Sequence, residues 1–310
     1  MWYSLIKHGD TGILGEPVRI RIMSVPVTGS TGGLETMEVT LRELKTAREM
    51  KEVEEVQSRI WGRAETVPSH QVIAEARNGG IVLGAFVRDG ESERLVGLSH
   101  SFPGTDGREV WLYSHMTGIL EEFRGQGIGS RMKLLQREIA LQKGFRVIKW
   151  TFDPLYYPNA HLNVRKLGGI VRKYEVDYYG ELTDSFNSGI PSDRFILEWH
   201  IASSRVSRAL SSCADGFSDE MDIPRTIRFQ YRGNRVVPGD LELGLEDDKV
   251  TVPFPVDFAG IKRQDLPLAR EWRLATRQVF LHYLGRGYVV CDVFQCDQIC
   301  YYLLDRDFSI

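Results

Sequence analysis

The sequence predicts an α+β protein, a mixed and mostly antiparallel sheet flanked by helices, with an additional C-terminal α+β lobe. Three observations predict it. Strand-like segments 80–88, 93–102 and 109–120 follow one another across the turn dipeptides Asp89-Gly90 and Pro103-Gly104, the pattern of an antiparallel meander. An amphipathic helix, 128–143, comes next, with Ile128, Met132, Leu135 and Ile139 on one stripe and Gly144 as its stop. Beyond residue 206 the pattern becomes strand, helix, strand, strand. At 310 residues the chain is long enough for two domains.

Residues 1–36 include the run Thr28-Gly29-Ser30-Thr31-Gly32-Gly33, which reads as a flexible N-terminal segment. The main domain is expected over 37–205. It opens with a strand at 38–44 and a helix carrying Met50, Val53, Val56 and Ile60 on one face. A loop at 61–69 contains Gly62 and Pro68, and a short helix at 71–77 leads into the meander. After the long helix come a strand at 146–152 closed by Asp153-Pro154, a short helix at 159–167 ended by Gly168-Gly169, and strands at 170–178 and 195–202. The Ser-rich stretch 203–225 reads as a boundary. In the expected C-terminal extension, 206–310, strands are placed at 226–231, 250–255, 288–294 and 299–304, around a helix at 264–284.

Composition excludes several function classes. Hydrophobic residues are 42% and charged residues 26%, ordinary for a globular chain. With 39 basic and 42 acidic residues the net charge is −3, so no nucleic-acid partner is expected. No run approaches the roughly 18 apolar residues of a membrane span, and the first ten residues lack a signal-peptide pattern. The expected location is the cytoplasm. Cys213, Cys291, Cys296 and Cys300 match no zinc spacing and are expected to be reduced, buried thiols, with no metal bound.

The chemistry is carried by Arg124-Gly125-Gln126-Gly127-Ile128-Gly129, between a strand and a helix. Glycines let this backbone bend tightly and clear space for a bulky anion. The helix start presents N–H groups without intrahelical partners, backed by the positive end of the helix dipole. A pyrophosphate suits such a loop, with Arg124 and Arg131 at its rim. The third glycine comes one residue too early for a Rossmann fingerprint, and Gly129-Ser130 lacks the lysine of a Walker loop.

Arg-x-x-Gly-x-Gly after a strand, within this order of elements, resembles the GNAT superfamily of acetyl-CoA-dependent acetyltransferases over about residues 37–180. The chain also resembles a group of predicted GNAT acetyltransferases with a C-terminal extension. That resemblance rests on Trp150-Thr151-Phe152-Asp153-Pro154-Leu155, Asn159-Ala160-His161-Leu162-Asn163, Leu167-Gly168-Gly169 and Asp193-Arg194. It implies a GNAT-like fold, acetyl-CoA as cofactor, and acetyl transfer to a primary amine by direct attack. The acceptor would be a small-molecule amine or a peptide N-terminus. It assigns Arg124, Gly125, Gln126, Gly127, Ile128 and Gly129 to the pyrophosphate. Backbone groups of Ile119 and Glu121 pair with the pantetheine arm as an added strand would. The arm runs between splayed strands 109–120 and 146–152, Gly118 marks the bulge that opens them, and Asn163 faces the cofactor.

Direct transfer needs a base for the amine and a proton for the leaving thiolate. His115 is the candidate base, expected on the same strand face as Tyr113 and Thr117 by simple alternation. Arylalkylamine acetyltransferases carry a histidine at the same strand position. His100, on the neighbouring strand, is the expected relay partner. Many GNAT enzymes place a tyrosine acid three residues before the Leu-Gly pair, where this chain has Val164. Tyr156 and Tyr157, just before that helix, are the substitutes.

Asp153 is expected to cap a turn, and Asp193 and Arg194 to form a structural ion pair. Arg63 and Glu65 lie where GNAT enzymes commonly meet the acceptor. The C-terminal lobe either closes over the acceptor or forms a homodimer interface. The alternative function is a non-catalytic acyl-CoA-binding regulatory module, which would keep the same loop. A hydrolase or nucleotide enzyme using it is the third.

Overall fold

The computed structural model describes residues 19–28, 34–89, 92–180, 189–211, 223–233 and 235–310. Two compact units divide the chain, Met1–Lys149 and Trp150–Ile310. The division falls inside a strand and well before the boundary expected at 205. The physical reason lies in the second unit, where strands placed by sequence in the main domain pair with strands of the expected extension.

In the first unit the sheet order is β1 (Arg19–Thr28), β2 (Leu34–Glu43), β3 (Ile81–Asp89), β4 (Ser92–Thr105), β5 (Val110–Ile119) and β6 (Val147–Phe152). All neighbours are antiparallel except β5 and β6, which are parallel. The presence of β1 corrects the expectation of a flexible segment over 1–36. Its alternation, Arg19-Ile20-Arg21-Ile22, is a strand pattern that the Gly/Ser/Thr-rich surroundings obscured. The glycine-rich run itself, at 29–33, and residues 1–18 lie outside the described residues.

Helix α1 (Ala47–Trp61) starts at a capping box, in which the Thr46 hydroxyl accepts from Glu49 N–H and the Glu49 carboxylate accepts from Thr46 N–H. Its Met50, Val53 and Val56 are buried. Helix α2 is Ser69–Arg77, and α3 is Ile128–Gln142. The expected α3 stripe of Ile128, Met132, Leu135 and Ile139 is buried in full. Strands β3 and β4 are buried on both faces, as Val82, Leu83, Val96 and Leu98 show.

Helices cover both faces because successive residues of β4 point opposite ways. His100 reaches Glu75 on α2, while Ser99 is bonded to Gln136 on α3. The α2 helix therefore lies on one face and α3 on the other. The turn after β4 comes later than Pro103-Gly104. Gly104 stays in the strand beneath Trp111, and the chain reverses at Gly107, whose φ is 88°.

In the second unit the strands β7 (Ile170–Glu175) and β8 (Arg194–His200) continue into β12 (Val289–Cys296), β13 (Ile299–Asp305) and β11 (Lys249–Pro255), in the order β8-β7-β12-β13-β11. Pairing of β7 with β12 runs through Val171 and Val290. Helix α4 (Tyr157–Ala160) continues as a π-helix over His161–Lys166. The stretch read as a boundary contains helix α5 (Ser204–Ser211), and 212–222, with Cys213, lie outside the described residues. A separate hairpin joins β9 (Ile227–Arg232) to β10 (Arg235–Leu241), which the sequence reading missed because Pro238-Gly239 interrupts its pattern.

The helix expected at 264–284 is α7 (Leu266–Gly285), capped by Asp265 through Leu268 N–H, and a short helix the sequence reading did not place, α6 (Phe258–Gln264), precedes it. The buried Phe280 of α7 meets Phe195, Tyr174 and Tyr302 in an aromatic core. Cys291 and Cys300 are buried thiols, whereas Cys296 is exposed. No helix among the described residues is long and apolar enough to cross a membrane.

Candidate functional site

The glycine loop grows out of the end of β5. Leu120 N–H closes the strand on Val96 O, and a 3-10 turn, Glu121–Phe123, follows. Glu122 fixes that turn, accepting from Arg94 at 2.7 Å and from Arg59 at 3.3 Å. Arg124 folds back, donating its Nε–H to Ile119 O at 3.0 Å and its backbone N–H to Glu121 O at 3.1 Å. The Ile119 and Glu121 carbonyls thus hold Arg124 in place.

Gly125 and Gly127 have φ of 77° and 76°, a region where any other residue is strained. Gly127 is the N-cap of α3 and supplies no side chain, so the N–H groups of the first turn have no side-chain cap. Gly129 is different. Its φ is not positive, and a Cβ there would meet nothing within 4 Å. Glycine inside a helix costs about 1 kcal/mol relative to alanine. Neither backbone conformation nor internal packing accounts for it, which leaves the space in front of the helix. Gln126 adds a buried side-chain oxygen, Oε1, with no hydrogen-bond partner among the described residues. Ile128 is buried and anchors the first turn.

Strand β5 pairs with β6 at two positions, Leu112 with Ile148 and Tyr113 with Lys149. From Ser114 onward its recorded partner is β4. The parallel pair therefore opens immediately after Tyr113.

That point carries a β-bulge. Ser101 pairs with Ser114 and His100 with Met116, so His115 is the extra residue. The bulge expected at Gly118 is not there, since Gly118 pairs in register with Leu98. Gly118 is glycine for another reason, because a Cβ would collide with the Trp61 ring and come within 3.0 Å of Ile60. The bulge also corrects the alternation. His115 shares a face with Tyr113, their rings 6.3 Å apart, but not with Thr117. Thr117 bonds Ser99 on the opposite face, at 3.0 Å.

On the α2 face, His100, Phe102, Tyr113 and His115 form one ring cluster. The His100 and His115 rings meet edge-on with centroids 6.0 Å apart. His100 is fully buried, and its Nε2 lies 2.5 Å from Glu75 Oε2. Burial lowers the pKa of both histidines, and the Glu75 carboxylate opposes it in each. The proximity of His115 lowers that of His100 further.

On the α3 face is a second polar system that the sequence reading did not single out. Lys133, 6% exposed, donates to Ser114 Oγ at 2.7 Å and to Gln136 Oε1 at 3.2 Å. Gln136 Nε2 reaches Ser114 and Ser99 at 3.1 and 3.3 Å. Burial pushes the Lys133 ammonium down to about 7. One signal was available: Lys133 and Gln136 are three residues apart and adjoin the apolar stripe.

No protein-family model matches the chain, and no curated protein sequence does. Solved structures do. GNAT acetyltransferases are among those similar to about half of this chain. A GNAT-family acetyltransferase from Streptococcus pneumoniae is 17% identical over 52% of this chain and 97% of its own, with a TM-score of 0.41. The ribosomal-protein-S18-alanine N-acetyltransferase from Escherichia coli is 11% identical over 54% and 96%, with a TM-score of 0.42. The NatC complex bound to Gag peptide and CoA gives 13% over 52% and 98%, with a TM-score of 0.42.

Most of the remaining sequence-predicted residues lie in the second unit. Tyr156 is 40% exposed, and Tyr157 stacks on His161 with centroids 5.6 Å apart. Burial raises the Tyr157 pKa, so its phenol stays protonated. Asn163 is 5% exposed in the π-helix, and Val164 is fully buried. Asp153 caps its turn through Leu155 N–H, as expected, and also holds Arg273 at 2.6 Å. Asp193 pairs with Arg277 in a two-point contact at 2.8 Å rather than with Arg194, which lies over the Tyr179 ring. In the first unit, Arg63 and Glu65 are exposed on a 3-10 turn.

Proposed function

We propose that the protein is an acyl-CoA-dependent N-acyltransferase that moves acetyl from acetyl-CoA to a primary amine. The observation that carries the reading is the loop from Ile119 to Gly129. It has an uncapped helix start, two glycines at positive φ, and a third glycine that only space in front of the helix explains. These residues fit a pyrophosphate. The sequence resemblance to GNAT enzymes supports the same assignment. When bound, acetyl-CoA supplies the activated acyl group.

The chain's own residues would then divide the work. The amides of the α3 first turn and Arg124 hold the anion, while Ile119 and Glu121 orient the arm. His115, placed by the bulge where β5 leaves β6, takes the proton from the acceptor amine at its imidazole nitrogen. Burial keeps this imidazole neutral near pH 7, which a base requires. His100 stands beside it on the same face as the relay partner. The acceptor is a small amine or a peptide N-terminus.

Gly129→Val tests the loop with little strain on the fold, because the added atoms point into open space. The parent should gain thermal stability with acetyl-CoA and much less with adenosine. Gly129→Val should lose that gain. If the variant binds acetyl-CoA as tightly as the parent, the loop assignment is wrong. Release of free thiol against an amine panel separates an enzyme from an acyl-CoA-binding module. His115→Ala should lower turnover about 10²- to 10⁴-fold with acetyl-CoA affinity unchanged.

A further inference from the structure

We propose that Glu75, on α2, is a positioning residue that acts through His100 on the proton-accepting His115. The inference rests on the acyltransferase reading and extends it to a helix that the reading does not use. Glu75 Oε2 and His100 Nε2 lie 2.5 Å apart, and neither atom has a hydrogen-bond partner elsewhere among the described residues. Both are buried. Burying a carboxylate oxygen and an imidazole nitrogen is costly unless one satisfies the other. A proton held between them resolves both.

Gln71 Nε2 donates to the other carboxylate oxygen at 3.0 Å and fixes the carboxylate's orientation. With Nε2–H given to Glu75, neutral His100 carries its lone pair on Nδ1, a buried atom that also has no partner among the described residues. The edge-on contact at 6.0 Å sets His115 next to this ring. When His115 takes the amine proton, the new positive charge arises beside a histidine already tied to a carboxylate.

Among the described residues, the titratable groups recorded against these rings come from three elements. From α2 comes Glu75, from β4 His100, and from β5 His115 and Tyr113. The α1 residues that meet β5, at Gly118, are the uncharged Trp61 and Ile60. Glu75 opposes the effect of burial on both histidines. Its charge therefore leaves His115 more basic than burial alone would make it.

Glu75→Gln removes the charge and keeps the shape, and Glu75→Asp keeps the charge on a shorter arm. The histidine titrations, followed by NMR on the full chain, give a readout independent of any acceptor. Glu75→Gln should move both titrations to lower pH, and Glu75→Asp should restore part of the movement. With an acceptor amine, Glu75→Gln should lower kcat by about 10-fold or more, a part of what losing the base costs. It should also move the acid limb of the kcat/KM profile to lower pH and leave acetyl-CoA affinity unchanged. Unmoved titrations for His100 and His115 in Glu75→Gln overturn the inference. A full rate in His115→Ala would instead overturn the reading of the base, whatever Glu75 does to the titrations.

Discussion

Lys133 offers a test of the α3 face that needs no substrate. Its ammonium is buried beneath β5, and burial brings its pKa from 10.5 down to about 7. That fall of about 3.5 pH units corresponds to roughly 5 kcal/mol at 1.36 kcal/mol per unit. The hydrogen bonds to Ser114 and Gln136 favour the charged form, so the figure is an upper bound. The sign follows from proton binding. Between the folded and unfolded pKa values the unfolded chain holds a proton that the folded chain has released, so stability rises with pH in that window. Lysine's contribution is therefore full above about 10.5 and lost as pH falls to about 7. Lys133→Met removes the titrating group. It also deprives Ser114 and Gln136 of a donor, but that cost does not vary with pH. Urea unfolding of parent and variant from pH 6 to pH 9 cancels the other ionisable groups. The stability of the variant relative to the parent should fall by up to about 2.7 kcal/mol between pH 7 and pH 9. A difference that stays flat across this range would mean that Lys133 keeps its ordinary proton affinity, and the burial argument would fail.

Gly118→Ala should destabilise the fold by about 1–3 kcal/mol, because its Cβ would lie 2.7 Å from Trp61 Cζ2. Thermal unfolding measures the loss, and Trp61→Leu in the same chain should recover part of it. Asp193→Ala leaves Arg277, the Tyr174 hydroxyl and Asp177 N–H without their acceptor, at a cost of about 3–5 kcal/mol in urea unfolding. Tyr157→Phe tests the proposed thiolate acid, which predicts slower turnover with acetyl-CoA affinity unchanged. Tyr156→Phe should leave both unchanged, and full rates in both variants would mean that the thiolate leaves unassisted.

The glycine loop was legible in the sequence because everything that defines it is local: the strand end, three spaced glycines and a helix start. The stripes of α1 and α3 were legible for the same reason. His115 was singled out from the sequence, but its orientation was not legible there, because a bulge is a property of two strands in register. Nothing local to Ser114-His115-Met116 shows that Ser101 pairs with Ser114 and His100 with Met116. Glu75 and Lys133 were missed because charged residues on amphipathic helices ordinarily face water. Only tertiary contact shows that one meets a buried histidine and the other a buried serine. The division of the chain escaped notice because the pairing of Val171 with Val290 spans more than a hundred residues.

On the acyl-CoA reading proposed above, the opening of β5 after Tyr113 has a consequence for the protein's behaviour when that ligand is scarce. A strand edge whose amides lack partners is a template for any other extended chain, including the same strand of a second copy. The bound arm of the cofactor would then be a stopper as well as a reactant. Depletion would loosen Ser114 to Ile119, speed deuterium uptake there, and favour self-association, all of which added acetyl-CoA would reverse. Solubility would then follow the supply of acyl-CoA.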